Sequence, residues 1–315
     1  MQEISTLGRL LENKDVEQFK LDDSSSYDSY AEDYHDCVEK LCKPFVKQMV
    51  RLAYLKPGQR VLDVGAGTGA VANFAAKLVG DSGTVVGIDL SEGMLKIAAL
   101  TAKKLGIANV QFHRTDAENL GLLSESFNSV ISMYAIDHFP NAAQALKEMH
   151  RVLKPGGRLV VSMGCRIPPW GGGILNAYGV GIVRRIKQIF QPNLYAPNFI
   201  LHLHKKYFSH LLSPPHSHWG GLNPGRNLLK LIKESGFNVE NTFWNHNMIT
   251  IPSAEDFWRS QSAIVTEVRK QLQYTTTDLK NLFYEEFKDL ANAALSQGGK
   301  LYYCVAIFIV SGIRK

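Results

Sequence analysis

The stretch 60-RVLDVGAGTGAVANFAA-76 decides the fold class, because an apolar run ends there in a turn that contains three glycines. The core of this turn, Gly65 to Ala70, satisfies the pattern G-x-G-x-x-G/A of dinucleotide-binding folds. Glycines at such a turn let backbone amides approach a ligand at the N-terminus of the next helix. Asp63, inside the strand, argues against a pyrophosphate, which its carboxylate would repel, and suits a ligand with an ammonium group.

Strand and helix patterns alternate regularly from this turn to Gly164. Apolar runs predict buried strands at 61–65, 84–90, 109–114, 127–134 and 158–164, and helical spacing predicts helices at 69–79, 91–105 and 141–153. Apolar strands that alternate with helices form parallel sheets with both faces covered, so the sequence predicts an α/β fold.

The regular pattern is interrupted after Gly164 by a segment rich in glycine, proline, histidine and aromatic residues. Beyond it, the sequence predicts a helix at 225–235, a strand at 237–251, helices at 253–273 and 278–295, and a last strand at 300–315. At the other end of the chain, residues 1–20 predict a short amphipathic helix, which a polar stretch with three tyrosines follows.

The composition is that of a soluble globular chain of 315 residues, 45% of them apolar. The net charge of +6 is spread without long basic runs, which argues against a nucleic-acid partner. There is no run of about 18 apolar residues that would predict a membrane span, and the N-terminus lacks the apolar core of a signal peptide. The four cysteines form no C-x-x-C pair and no cluster has zinc spacing, so we expect reduced thiols, no metal and a cytoplasmic location.

Five motifs, found in a fixed order along the chain, indicate which kind of ligand the glycine turn binds. They are VLDVGAGTG (61–69), GIDLSEGML (87–95), FHRTDAENL (112–120), FNSVISMYAIDHF (127–139) and EMHRVLKPGGRLVVS (148–162). The series resembles the class I S-adenosylmethionine-dependent methyltransferases, in the branch of the ubiquinone/menaquinone-biosynthesis and small-molecule natural-product enzymes. The resemblance implies a Rossmann-like, seven-stranded, mostly parallel sheet with an antiparallel last strand, helices on both faces and a mainly helical substrate cap.

Four regions follow when this resemblance is combined with the changes in pattern. We expect an N-terminal helical arm and lid at 1–55, a core that binds S-adenosylmethionine at 56–164, a substrate cap inserted at 165–223, and the rest of the core at 224–315. Within the last region, a helical pair at 253–296 would complete the cap.

The resemblance also implies cofactor-binding roles for residues in these motifs and in the segment 27-YDSYAEDY-34. They are Asp63, Gly65, Gly67 and Thr68 around the methionine end, Asp89 at the ribose hydroxyls, Leu90, Met94, Asp116 and Ala117 around the adenine, Tyr134 under the sulfonium, and Tyr27 and Tyr34 in a lid.

Methyl transfer needs neither a metal nor a covalent nucleophile, because a sulfonium is an excellent leaving group once the acceptor is held in line. A base is needed only where the acceptor must lose a proton. His138 is the best candidate for that base, and Asp137 could orient it or act itself, beside the methyl-facing Tyr134. The alternative is that Asp137 and His138 only satisfy backbone groups at a helix start.

The acceptor is expected to be a mostly hydrophobic small molecule, because the cap is rich in apolar and aromatic residues. Trp170, Tyr178 and Ile182 in the cap, with Phe257 beyond it, are the candidate substrate-binding residues. A short basic amphipathic helix around Ile182 leaves peripheral membrane contact open, without favouring it. We expect a monomer or a homodimer.

Several functions remain open at this point. The first is methyl transfer to an O or N atom of a hydrophobic metabolite, and a variant is C-methylation of a prenylated quinone or sterol-like lipid. A non-catalytic protein that binds S-adenosylmethionine is a different class, which the intact Asp63 and Asp89 disfavour. A nicotinamide-dependent dehydrogenase would require an all-parallel sheet.

Overall fold

The computed structural model describes residues 16–164, 203, 206–207, 224–273 and 275–315. Within that part of the chain, seven strands form one sheet in the order β3-β2-β1-β4-β5-β7-β6. The strands are β1 (Arg60–Val64), β2 (Thr84–Asp89), β3 (Val110–Arg114), β4 (Phe127–Ser132), β5 (Leu153–Gly164), β6 (Phe237–Ile251) and β7 (Leu301–Arg314).

The first five strands run parallel to one another, whereas β7 runs antiparallel to both β5 and β6. This arrangement confirms the predicted mostly parallel sheet with an antiparallel last strand. It also removes the all-parallel sheet that a dehydrogenase of the dinucleotide-binding class would require. The chain reverses strand order between β1 and β4, and a ligand crevice lies at such a switch point in open α/β sheets.

Ten helices are described. They are α1 (16–28), α2 (Ala31–Leu41), α3 (Lys43–Leu52), α4 (Ala70–Val79), α5 (Glu92–Lys104), α6 (Ala142–Val152), α7 (Pro224–Glu234), α8 (Ala254–Ile264), α9 (Thr266–Gln273) and α10 (Thr277–Ser296). A single 3₁₀ turn, Ile136–His138, follows β4.

Two helix predictions differ from the structure. The polar stretch after residue 20 is not a separate segment, because α1 continues through it to residue 28. The helix predicted at 253–273 is two helices, since Val265 has an extended backbone with ψ 106° and separates α8 from α9. Three helices therefore occupy the C-terminal region where the sequence predicts a pair.

The central strands of the sheet are buried on both faces, as their apolar sequences require. Adjacent residues of β1 point to opposite faces: Leu62 packs in the cluster with α6 and α7, and Val61 in the cluster with α2, α3 and α4. Neither side chain has any exposed surface. The fixed sheet thereby holds the carboxyl ends of β1, β2 and β4 in one place, and these ends carry the candidate site.

A third apolar cluster lies in the C-terminal helices. Phe257 of α8, Phe283 and Phe287 of α10, and Leu301 at the start of β7 belong to it. These helices form a layer of their own, which also packs against α2. We call α8, α9 and α10 the C-terminal helical layer.

Candidate functional site

The glycine turn between β1 and α4 depends on its glycines. Gly65, Gly67 and Gly69 have φ angles of 70°, 52° and 82°, in the left-handed region that side chains rarely adopt. A Cβ atom at Gly65 would lie 2.3 Å from the Cβ of Ala135, so the space there is also closed. The turn is therefore a cradle of backbone that opens towards the end of the sheet.

A cavity lies against this turn at the carboxyl ends of β1, β2 and β4. It brings together most of the candidate site residues, which come from five separate sequence segments. Those that line it are Tyr27, Tyr34, Gly65, Gly67, Asp89, Leu90, Met94, Asp116, Ala117, Tyr134 and His138. The remaining candidates are not in the lining, and are placed below.

Asp63 lies beneath the cradle with 1% of its surface exposed. The backbone N–H of Ala72 donates to its carboxylate, but Oδ2 has no hydrogen-bond partner among the described residues. Burial, with a further contribution from the negative charge of Asp89, raises the pKa of Asp63 to about 7. A buried carboxylate with a free oxygen is suited to a cationic ligand group, which would stabilise its charged form.

Asp89 ends β2 and connects it to the glycine turn. The Gly67 N–H donates to Oδ2 at 2.9 Å, and the Ser91 N–H donates to Oδ1 at 3.0 Å. Burial raises the pKa of Asp89, while these backbone donors act in the opposite direction. Both oxygens retain acceptor capacity, because each carboxylate oxygen can accept two hydrogen bonds. Asp89 can therefore hold the cradle and still accept ligand hydroxyl groups.

The predicted adenine side of the cavity contains an ion pair that the sequence motifs do not indicate. Lys20 of α1 donates from Nζ to Asp116 Oδ2 at 2.8 Å and lies 2.9 Å from Glu118 Oε2. Burial lowers the pKa of Lys20, but its hydrogen bonds to the two carboxylates outweigh this and raise it. The Asp116 carboxylate, which the resemblance places beside the adenine, is thus already paired through Oδ2 with an ammonium group.

His138 sits in the 3₁₀ turn after β4 and is bound on both ring nitrogens. Nδ1 lies 2.9 Å from Asp23 Oδ2, and Nε2 lies 3.3 Å from the Tyr27 hydroxyl oxygen. Burial lowers its pKa, but Tyr27 and Asp23 raise it more strongly, to about 10. An imidazole that keeps its proton at neutral pH does not accept another, so this geometry does not support His138 as the general base.

Tyr134 lines the cavity in a left-handed conformation, with φ 56°. Its hydroxyl donates to the Ala306 carbonyl at 3.2 Å, which fixes the ring against β7. Burial raises the pKa of this hydroxyl. Tyr134 therefore acts as a neutral, fixed wall of the cavity and does not supply a phenolate.

The two lid tyrosines pack on one another above the turn. The rings of Tyr27 and Tyr34 meet edge to face, with centroids 5.7 Å apart and an interplanar angle of 87°. A Cβ at Gly67 would be 3.9 Å from the Tyr34 ring, so the lid closes directly over the cradle. Helices α1 and α2 thus supply the side of the cavity that faces the sheet.

The other candidates lie away from the cavity lining. Thr68 is buried and its hydroxyl has no hydrogen-bond partner among the described residues, while Asp137 is half-buried. Phe257 is 2% exposed and packs near Phe287 in the third apolar cluster, away from the cavity lining. Trp170, Tyr178 and Ile182 lie outside the described residues.

Over the described ranges, no group of three or more His, Cys, Asp or Glu side chains is placed to hold a metal ion. Among the same residues, no helix is long and apolar enough to cross a membrane. Cys37 and Cys42 are free thiols, and burial raises their pKa values to about 11 and 12.

The core of the chain is similar to known methyltransferases. A family profile for a methyltransferase domain matches residues 55–177. The ubiquinone/menaquinone biosynthesis C-methyltransferase UbiE of Ectopseudomonas mendocina is 40% identical over 113 residues, which are 36% of this chain and 44% of that protein. The chain therefore spans less than half the length of this curated relative.

Two solved structures share the fold over most of the chain. A Bacillus halodurans protein, provisionally described as a methyltransferase, is 25% identical with a TM-score of 0.52, and the match covers 85% of this chain and 98% of that one. The YcgJ protein of Bacillus subtilis is 20% identical with a TM-score of 0.52, over 86% and 97% of the two chains, which shows the fold alone.

The glycine turn, Asp63 with its unpartnered Oδ2, and Asp89 all lie inside the range that the profile matches. The profile, the strand order and the similarity to UbiE identify residues 55–177 as a methyltransferase domain like those of the class I, S-adenosylmethionine-dependent enzymes of the UbiE-like branch.

Proposed function

We propose that this chain transfers a methyl group from S-adenosylmethionine to an O or N atom of a mostly hydrophobic small molecule. The observation that carries the proposal is the pairing of a buried, partly unsatisfied Asp63 with a glycine cradle at the same switch point of the sheet. When bound, the cofactor would supply an activated methyl group on a sulfonium. The chain's own residues bind it, orient it and exclude water.

Asp63 and Asp89 would hold the two polar ends of the ligand. The free Oδ2 of Asp63 would accept from the ammonium group, whose positive charge favours the ionised carboxylate and releases the proton held at a pKa of about 7. Asp89, fixed by the Gly67 N–H, would accept from the ribose hydroxyls. These contacts set the position of the sulfonium relative to Tyr134.

The aromatic residues around the cavity would orient the acceptor and exclude water from it. Tyr134 is anchored by its hydroxyl on β7, and Tyr27 and Tyr34 cover the cradle. An acceptor held in line in a site that excludes water needs little further catalysis, because positioning supplies most of the rate. Because Tyr27 and Asp23 raise the pKa of His138 to about 10, the proposal does not use His138 as the base that deprotonates the acceptor.

C-methylation of a prenylated quinone or sterol-like lipid is the second candidate. It is favoured by the relative named above, which is a C-methyltransferase. The match with that protein covers 113 residues, which are 36% of this chain and 44% of that protein. A likeness over so little of either chain does not decide the acceptor, and the choice between O, N and C needs a chemical test.

That test is methyl transfer with a cofactor carrying ¹³C on its methyl group, offered with a panel of apolar phenols, amines and prenylated hydroquinones. The ¹³C chemical shift of the product distinguishes O-, N- and C-methyl groups directly. A new O- or N-methyl signal supports the proposal, and a C-methyl signal from the hydroquinones supports the second candidate. Tight binding of S-adenosylhomocysteine without transfer to any acceptor would favour a non-catalytic binding protein.

A further inference from the structure

We propose that Arg269, on α9, is a positioning residue of the cofactor cavity that acts through Tyr27. This inference rests on the proposed function, because it assigns a role at the same cavity to a residue of the C-terminal helical layer. Arg269 lies outside the region 55–177 that matches the methyltransferase profile. It would therefore be a feature of this chain's own additions to the core.

Arg269 is fully buried and held in one orientation. Its side chain has no exposed surface, Nε donates to Ser26 Oγ at 3.0 Å, and Nη1 donates to the Ala263 carbonyl at 2.8 Å. The guanidinium carbon lies 3.5 Å from the centroid of the Tyr27 ring. A cation stacked on an aromatic face attracts it, most strongly where water is excluded. Arg269 thus fixes the face of the Tyr27 ring from the side away from the cavity.

The other contacts of Tyr27 lead into the cavity. Its hydroxyl lies 3.3 Å from His138 Nε2, and its ring edge meets the Tyr34 ring. Tyr27 also lines the cavity itself. One ring is therefore held by a guanidinium behind it, an imidazole at its hydroxyl and a second tyrosine beside it. Removal of the guanidinium leaves the ring free to leave the position that closes the lid over the cradle.

A second connection between the C-terminal helical layer and the lid provides a contrast. Arg259 of α8 pairs with Asp33 of α2, with Nε donating to Oδ1 at 2.8 Å, and also lies near Asp36. All three side chains are substantially exposed, so water and salt weaken this pair. It touches neither Tyr27 nor the cavity lining. The buried Arg269 contact, and not the exposed one, carries the influence of the C-terminal helical layer on the cofactor.

The experiment uses the full chain and measures S-adenosylhomocysteine binding by calorimetry for Arg269→Met, with Arg259→Gln as the matched control. We expect Arg269→Met to weaken binding about tenfold, in line with the loss of a buried cation–π contact, and Arg259→Gln to leave it unchanged. Arg269→Lys, which restores the charge without the planar stack, should recover part of the loss. Equal binding by the wild type and Arg269→Met would overturn the proposal.

A second readout separates positioning from a loss of stability. ¹⁵N-histidine spectra follow the titration of His138, and the signal is assigned with His138→Gln. In Arg269→Met we expect the pKa of His138 to fall towards its ordinary value, because the displaced Tyr27 hydroxyl no longer meets Nε2. An unchanged titration contradicts the proposal. Should Arg269→Met fail to fold, Arg269→Lys must show both changes, in binding and in the titration of His138, to a smaller extent, and wild-type behaviour of Arg269→Lys in both would contradict the proposal.

The two proposals fail differently. If the wild type does not bind S-adenosylhomocysteine, the proposed function falls, while the titration of His138 still tests the coupling from Arg269 through Tyr27. If the wild type binds and Arg269→Met matches it in affinity and in titration, the function stands and the positioning role falls.

Discussion

The two sides of the cavity are held by different forces. The sheet side, with Asp63, Asp89 and the glycine turn, is fixed by backbone hydrogen bonds and by strands that are buried on both faces. The lid side, on α1, is held by charged side chains: Lys20 with Asp116, and Asp23 with His138. The sheet side is thus expected to resist changes in salt concentration, and the lid side to respond to them.

The largest effect should follow from Asp63→Asn. If Asp63 meets the ligand's ammonium group, its loss should weaken S-adenosylhomocysteine binding by about 100-fold or more, as removal of one partner of a buried charge pair does. Asp81→Asn, an exposed acid in the turn before β2, is the matched control and should bind as the wild type. Calorimetric binding curves decide the matter, and near-equal affinities would contradict the assignment.

The same variant should be more stable than the wild type. The pKa of Asp63 in the folded chain, about 7, lies above its ordinary value of 3.8. Between these values the folded state binds the extra proton, so stability falls as pH rises through this window and stays low above it. Asn has no such cost, so its advantage in melting temperature should grow from pH 4 to about 7 and then level off. A constant difference over this range would contradict the burial account.

Gly65→Ala should have the next largest effect, on the sheet side. Alanine there costs about 1 kcal/mol for the left-handed backbone and about 1–3 kcal/mol more for the overlap with Ala135. Gly106→Ala is the control, because Gly106 has a similar φ of 69° but open space around it, so it should lose only the backbone cost. Urea unfolding gives the unfolding free energy of both variants. Equal losses of free energy would show that the backbone around Gly65 can shift to make room for the added methyl group.

Asp23→Asn tests the lid side. It removes the carboxylate at His138 Nδ1, so the pKa of His138 should fall from about 10 towards 6.5. In the wild type, this raised pKa stabilises the folded chain fully below pH 6.5, and the stabilisation is lost as pH rises through about 10. The wild type and Asp23→Asn should therefore differ most in melting temperature near pH 6, and the difference should shrink as pH rises to about 10. A difference in melting temperature that stays the same at every pH would contradict this role of Asp23.

The smallest effect is expected for Lys20→Met, which leaves Asp116 and Glu118 without their ammonium partner. We expect a loss of about 1 kcal/mol in unfolding free energy, since the two carboxylates are partly exposed to water. In 1 M salt, where charges are strongly screened, the difference in unfolding free energy between Lys20→Met and the wild type should become smaller. A gap that does not change with salt would show that Lys20 acts by packing and not by charge.

The same contrast explains which features the sequence could predict. The glycine turn, Asp63 and Asp89 lie in short motifs at strand ends, so local pattern was enough to place them at one edge of the sheet, and the family resemblance supplied the antiparallel last strand. Lys20, Asp23 and Arg269 carry no local signal, because their partners are 96, 115 and 243 residues away along the chain. The sequence predicts His138 as the general base, and the residue does line the cavity, but its pKa depends on Asp23, which only the folded chain brings near.

The most direct test of the account is the pH dependence of S-adenosylhomocysteine binding to the wild type. Calorimetry between pH 5.5 and 8, in two buffers of different ionisation enthalpy, gives both the affinity and the number of protons exchanged. The account predicts that binding tightens as pH rises through about 7 and that a proton is released from Asp63 below this pH. Binding that is independent of pH, with no proton release, would contradict the central role of the Asp63 carboxylate.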